Sequence, residues 1–277
     1  MGNERPLILV CNDDGIKASG ITALAESLSA LGHVVVVAPD RERSAAGHSL
    51  TLSRPLRVVT ERPNWYAVDG TPTDCVALAF TELLDRRPDL VAAGINHGWN
   101  LGDDVTYSGT VAIAMEATLK GVPAFAISSP AGREGELRAA AECARRLAGE
   151  ILERGLPNDT LLNVNVPDRP ADAIPAWVIT RQGRRVYSES VVRNVDPRGL
   201  PYYWIGGMPP TWKSGGGTDD AAVRDGFISI TPLHLDLTNE RAIRELAAWG
   251  VFPVHPNGND GSAGEKSFSS RDACGSL

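Results

Sequence analysis

Two adjacent aspartates, Asp13 and Asp14, stand in the stretch "LILVCNDDG" one residue after five apolar residues. Carboxylates side by side repel, and burying both without compensation costs several kcal/mol. The pair therefore needs a cation, a proton or solvent. A divalent metal is one solution, because Mg²⁺ and Mn²⁺ take oxygen ligands from carboxylates, waters and substrate phosphates. The alternative is that both acids cap a following helix, each stabilising it by about 0.3–1 kcal/mol. A second cluster lies in "YSGTVAIAMEA", where Ser108, Gly109 and Thr110 open a predicted helix. Small hydroxyls and free first-turn amides there form an anion cradle, or else an ordinary helix cap. Taken together, a carboxylate pair and a phosphate cradle at one sheet edge point to metal-assisted phosphoryl transfer to water.

The elements that position these residues are read from apolar runs. "LILVC" (7–11), "HVVVVAP" (33–39), "DLVAAGIN" (89–96), "VPAFAIS" (122–128) and "TLLNVNVP" (160–167) are continuous, as in strands of a parallel sheet covered on both faces. Between the first two, Ile21, Leu24, Ala25, Leu28 and Leu31 recur at helical spacing up to Gly32. Thr71 and Pro72 read as N-cap and first residue of another helix, with more helices near 110–120 and 136–154. The fold class is α/β: a Rossmann-like, doubly wound, mostly parallel sheet over residues 1–170. Residues 171–255 alternate in strand fashion around polar turns and read as a hairpin or extended arm that completes the fold. "DGFISITPLHLDLT" is one such strand, with an edge-compatible proline. Residues 256–277, rich in Gly and Ser, read as a flexible tail.

In open sheets of this kind, ligands bind at the carboxyl ends of the strands. The polar residues found there are Asn12, Asp13, Asp14 and Gly15; then Asp40, Arg41, Arg43 and Ser44; then Asn96, His97, Asn100, Asp103 and Asp104. Bulk properties narrow the partners. A net charge of −7 argues against nucleic acid polymers and anionic membranes. No stretch approaches about 18 apolar residues and no signal-peptide core is present, so a cytoplasmic location is expected. The four scattered cysteines, Cys11, Cys75, Cys143 and Cys274, read as reduced thiols.

The motifs "NDDG", "APDRERSAAGHSLTL", "GTPTDCVALA", "AGINHGWNLGDDVTYSGTVAIAMEA", "LLNVNVP" and "GFISITPLHLDLT", in this order, resemble the survival-protein-E (SurE) nucleotidases, a family of metal-dependent phosphatases. The resemblance covers roughly residues 7–240. It implies a 5'-nucleotidase, an acid-phosphatase-like phosphomonoesterase, acting on nucleoside 5'- or 3'-monophosphates. It implies one divalent ion per subunit, Mg²⁺ or Mn²⁺, on Asp13, Asp14, Ser44 and Asn96. Phosphate contacts fall on Asn100 and on the Ser108, Gly109, Thr110 turn. A homodimer or homotetramer with exchanged C-terminal segments is implied as well. Ala93, His97 and Trp99 depart from the family's usual residues without replacing a ligand.

Asp13 and Asp14 are the catalytic candidates, Asp13 as the carboxylate that also orients or deprotonates the attacking water. A covalent aspartyl phosphate is a lesser reading, since a liganding carboxylate is poorly placed for in-line attack. Arg41 or Arg43 could clamp phosphate or form surface ion pairs. His97 reads as a structural loop histidine or a proton-transfer aid, and Trp99 as a lid or a platform for a base. Asp103 and Asp104 read as outer partners or a helix start, "GGG" at 215–217 as a loop, "RQGRR" at 181–185 as a solvated turn, and His234 as a strand residue. A non-catalytic nucleotide-binding regulatory module is the alternative function. A haloacid-dehalogenase-type phosphatase needs a DxD pattern that "DDG" lacks.

Overall fold

A computed structural model describes residues 5–130, 134–168, 176–186, 191–205, 211–213 and 215–251, so the expected tail over 256–277 lies outside the described residues. In chain order the first elements are β1 (Leu7–Cys11), α1 (Ser19–Leu28), β2 (His33–Pro39), β3 (Val58–Arg62), β4 (Trp65–Val68), α2 (Pro72–Leu78), β5 (Leu90–His97) and α3 (Gly109–Leu119). There follow β6 (Ala124–Ser129), α4 (Glu134–Arg154), β7 (Thr160–Asn165), β8 (Trp177–Ile179), β9 (Arg185–Val186), β10 (Val191–Val195) and β11 (Pro201–Ile205). The last are β12 (Thr211–Trp212), α5 (Asp219–Arg224), β13 (Ile228–His234) and α6 (Glu240–Ala247). The chain divides into two compact units, Met1–Leu235 and Asp236–Leu277. In the second, α6 is capped by Asn239, whose Oδ1 accepts from the Ala242 amide at 2.9 Å.

The first unit is built on a nine-stranded sheet in the order β3-β4-β2-β1-β5-β6-β7-β13-β8. The six strands from β4 to β7 run parallel, with β3 antiparallel to β4 and β13 antiparallel to β7. Period-two alternation along β1 divides the core between two faces. Ile8 and Val10 pack with Leu24 and Leu28 of α1 and Leu147 of α4. Leu7, Leu9 and Cys11 pack with Val76 of α2 and Val111 and Ile113 of α3. The sheet is therefore doubly wound, as expected. The chain travels outward from β1 through β2 to β4, then returns to start β5 on the other side of β1. That reversal opens a crevice between the carboxyl ends of β1 and β5, where this fold binds ligands.

The five expected parallel strands lie within two residues of their predicted bounds. Thr71 caps α2 with Pro72 at its first residue, and Asp74 completes a capping box. Helix α1 stops at Leu28 rather than running to Gly32, where an added Cβ would lie 2.3 Å from the Pro6 carbonyl oxygen. The edge strand β3 and its neighbour β4 were not expected, and β3 is exposed throughout. Strand β13 is internal rather than an edge strand, but β8 pairs only with Ile228–Ile230. At Pro232 the side facing β8 is open, so the missing N–H leaves no bond unmade there. β10 and β11 form the expected hairpin. Among the described residues no helix is long and apolar enough to cross a membrane.

Candidate active site

After β1 the chain turns within four residues, and the buried Asn12 closes the turn on itself. Its Nδ2 donates to the Gly15 carbonyl at 3.1 Å and its Oδ1 accepts the Gly15 amide at 3.2 Å. This fixes where Asp13 and Asp14 emerge. The Arg43 amide donates to the Asp13 carbonyl at 2.7 Å, tying the loop after β2 to the same turn. The Asp13 side chain is 4% exposed, and its Oδ1 accepts the hydroxyl of Thr110 from the first turn of α3. That hydroxyl also lies 3.3 Å from Asn96 Oδ1 at the end of β5. Asn96 Nδ2 donates to the Gly98 carbonyl at 2.8 Å, which leaves its Oδ1 as the end beside the Thr110 hydroxyl. Asp14 turns toward the β5 loop, where its Oδ2 accepts the His97 amide at 3.3 Å.

Burial dominates the electrostatics. It pushes the Asp13 carboxyl up to about 6, against the Thr110 hydroxyl that favours ionisation, and the charge of Asp14 pushes further in the same direction. Asp14 is raised too, first by burial, opposed by the His97 amide and reinforced by Glu42. Neither acid forms an ion pair among the described residues. Two buried carboxylates without a cation, beside an amide oxygen and a hydroxyl, are an all-oxygen donor set that fits a hard divalent ion. No group of three His, Cys, Asp or Glu side chains gathers among the described residues. Neutral oxygens and water must therefore complete any coordination, which suits Mg²⁺ or Mn²⁺ better than zinc.

The remaining expected residues are less tightly gathered. Ser44 is exposed and its hydroxyl donates to Glu42 Oε1 at 2.7 Å, apart from the Asp13–Thr110–Asn96 cluster. Ser108 caps α3, its Oγ accepting the Val111 amide at 3.1 Å. Gly109 permits the close approach of helix and carboxylate: a Cβ there would lie 2.8 Å from both Cβ and Oδ2 of Asp13. The start of α3 is thus aimed at Asp13, and the Thr110 amide helps stabilise its ionised form. Asn100 is buried, and its Nδ2 donates to Ser128 Oγ at 2.8 Å. Ser128 is the register partner of Asn96 on β6, so Asn100 reaches the same edge of the sheet.

Three residues with a part in this site carried no assignment in the sequence. Ser128 holds the Asn100 amide. Asn163 and Asn165 on β7 both donate to the Asn100 carbonyl, at 2.8 and 3.1 Å, and Asn165 Oδ1 accepts the Asn100 amide at 2.9 Å. The available signal was two asparagines at period two inside the apolar "LLNVNVP", since a buried strand tolerates polar side chains only with partners. The flanking residues find partners within the protein. Arg41 pairs with Asp40 at 3.0 Å, and Arg43 donates to the Asp69 carbonyl at 3.2 Å. Asp103 accepts the Arg185 amide at 2.9 Å while Asp104 pairs with the Arg185 side chain, so "RQGRR" docks in part against the protein. Trp99 is 38% exposed and donates its indole N–H to the Val166 carbonyl at 2.7 Å.

Comparison with known proteins gives the family. The family model described as Survival protein SurE covers residues 8–189. The chain is 56% identical over 250 residues to the 5'-nucleotidase SurE of Geobacter sulfurreducens, spanning 90% of this chain and 95% of that protein. It is 58% identical over 247 residues to the 5'-nucleotidase SurE of Syntrophotalea carbinolica, spanning 88% and 98%. The crystal structure of the SurE protein from Aquifex aeolicus aligns at a TM-score of 0.78 and 43% identity, over 88% of this chain and 100% of that one. The matched region takes in the Asp13–Asp14 turn, Asn96 and the start of α3, and on it the chain belongs to the SurE family.

Proposed function

We infer that the chain is a divalent-metal-dependent phosphomonoesterase that hydrolyses nucleoside 5'-monophosphates to nucleoside and phosphate. Nucleoside 3'-monophosphates are a second substrate class. The observation that carries this is the meeting of Asp13 from the turn after β1, Asn96 from the end of β5 and Thr110 from the first turn of α3, at the sheet's switch point. The relatives' name, 5'-nucleotidase SurE, supports the same reaction.

One Mg²⁺ or Mn²⁺ per subunit would be held by Asp13, Asp14, Asn96 and Ser44, whose hydroxyl must turn away from Glu42. When bound, such an ion polarises a phosphoryl oxygen and lowers the pKa of a coordinated water. The protein's own groups do the rest. Thr110 holds Oδ1 of Asp13 in place, and the Asp13 carboxylate would both help hold the ion and orient or take the proton of the attacking water. At the start of α3 the Gly109 amide and the Ser108 hydroxyl would meet the phosphoryl oxygens, the Thr110 amide being already given to Asp13, and Asn100 would add a side-chain contact. Transition-state charge is then met by groups already fixed in place.

Assembly as a homodimer or homotetramer with exchanged C-terminal segments is supported by the hairpin of β10 and β11. Its Val191, Tyr203, Trp204 and Ile205 are each more than half exposed. A cytoplasmic location is supported by Cys11, Cys75 and Cys143, which are free and buried. The test is phosphate release from a panel of 5'- and 3'-nucleoside monophosphates, in EDTA and after Mg²⁺ or Mn²⁺ is restored. Turnover only with the ion supports the reading, and full activity in excess EDTA overturns it.

A further inference from the structure

Asp219 opens α5 far along the chain from the phosphate-contacting residues, yet its carboxylate closes the loop that carries them. It is fully buried, and three backbone amides converge on it. Oδ2 accepts from Gly102 at 2.8 Å, while Oδ1 accepts from Gly183 and from Asp220, both at 2.8 Å. No basic side chain among the described residues forms an ion pair with Asp219. A buried carboxylate satisfied by amides alone fixes backbone rather than balancing charge. Gly102 lies between Asn100 and Ser108, so this bond acts in the middle of the phosphate loop.

The contact is close on every side. Gly102 has φ +52, and a Cβ on it would lie 2.8 Å from the Trp212 ring and 2.9 Å from the Gly183 carbonyl oxygen. Gln182 Nε2 donates to the Gly102 carbonyl at 2.9 Å, and the Arg185 amide donates to Asp103 Oδ2 at 2.9 Å. The other end of the loop is held by Asn163 and Asn165 on Asn100.

We propose that Asp219 is a positioning residue for phosphate binding: by joining Gly102 to the 181–185 segment, it holds Asn100 and the start of α3 in the geometry that receives the phosphoryl group. This rests on the nucleotidase reading given above. An asparagine has a single acceptor oxygen, so Asp219→Asn must give up either Gly102 or the Gly183 and Asp220 pair. Loss at this point moves the loop without touching Asp13 or Asp14.

The test compares wild type with Asp219→Asn and Gln182→Ala. KM and kcat are measured on a nucleoside monophosphate, inorganic phosphate binding by calorimetry in Mn²⁺, and Mn²⁺ affinity and Tm alongside. Asp219→Asn is expected to raise KM and the phosphate Kd together by about tenfold or more, with kcat changed less than about threefold and Mn²⁺ affinity unchanged. Gln182→Ala should shift the same two constants in the same direction by a smaller factor. An unchanged phosphate Kd in Asp219→Asn overturns the proposal, as does a fall in Mn²⁺ affinity as large as the fall in phosphate affinity. If Asp219→Asn does not fold, Gln182→Ala decides, and an unchanged phosphate Kd there is equally contrary. Wild type that binds phosphate in Mn²⁺ but turns over no nucleotide overturns the nucleotidase reading instead, and the calorimetric comparison still tests Asp219.

Discussion

At the scale of single residues, Asp13 carries the strongest conflict between environment and charge. Burial raises its carboxyl from 3.8 to about 6 in the cation-free chain. The folded state then holds this proton more tightly than the unfolded state does. Stability is unaffected well below pH 4, falls as pH rises from about 4 through 6, and stays lower by about 3 kcal/mol above that. Chelated protein should therefore melt lower at pH 7.5 than at pH 5. Asp13→Asn should shrink that difference, and Mg²⁺ should restore the wild-type Tm at pH 7.5. Thermal melts at the two pH values check this, and an equal pH dependence in wild type and Asp13→Asn would count against it. Gly109 gives a steric test of the same carboxylate. Its substitution by alanine puts a Cβ 2.8 Å from Asp13 Oδ2, and displacement of a catalytic group by about 1 Å can cost about 100-fold. Gly109→Ala is expected to lose about 10- to 100-fold in kcat and to lower Tm as well, since the Asp13 Cβ must also give way, read from steady-state kinetics and a melt.

At the scale of elements, helix α1 crosses β5 so closely that a Cβ on Gly20 would lie 2.1 Å from the Ile95 carbonyl oxygen. Glycine to alanine in an open helix stabilises by about 0.5–1 kcal/mol, and here the sign reverses. Urea unfolding of Gly20→Ala should show a lower midpoint than wild type, and a raised midpoint would contradict the packing described. The same elements explain what the sequence could convey. β1, β2, β5, β6 and β7 are buried on both faces and so read as continuous apolar runs. β3 is exposed from Val58 to Arg62 and leaves no such pattern, because its pairing with β4 is set by the sheet edge and not by burial. Asp13, Asn96 and Thr110 were legible because each follows a strand end or opens a helix. Their meeting point depends on β1 and β5 being neighbours, which follows from strand order. Asn163, Asn165 and Asp219 were less legible because their partners are backbone amides and carbonyls, which leave no side-chain signature.

At the scale of the whole molecule, the proposed reaction centre lies at the switch-point edge of one sheet, while the hairpin of β10 and β11 presents apolar surface. Trp204 is 67% and Ile205 93% exposed, more than an isolated strand pair in water would be expected to leave uncovered. Replacing both with aspartate is expected to lower the mass measured by light scattering toward that of a monomer, and an unchanged mass would remove the hairpin from the assembly. Activity rests on a different claim, that Asp13 and Asp14 form the seat of an ion without which nucleotides are not cleaved. The direct measurement is Mn²⁺ titration with parallel phosphate release, in wild type and in the Asp13→Asn, Asp14→Asn double variant. The variant is expected to lose Mn²⁺ affinity and phosphate release together while keeping a cooperative melt. Undiminished phosphate release from the double variant would contradict it.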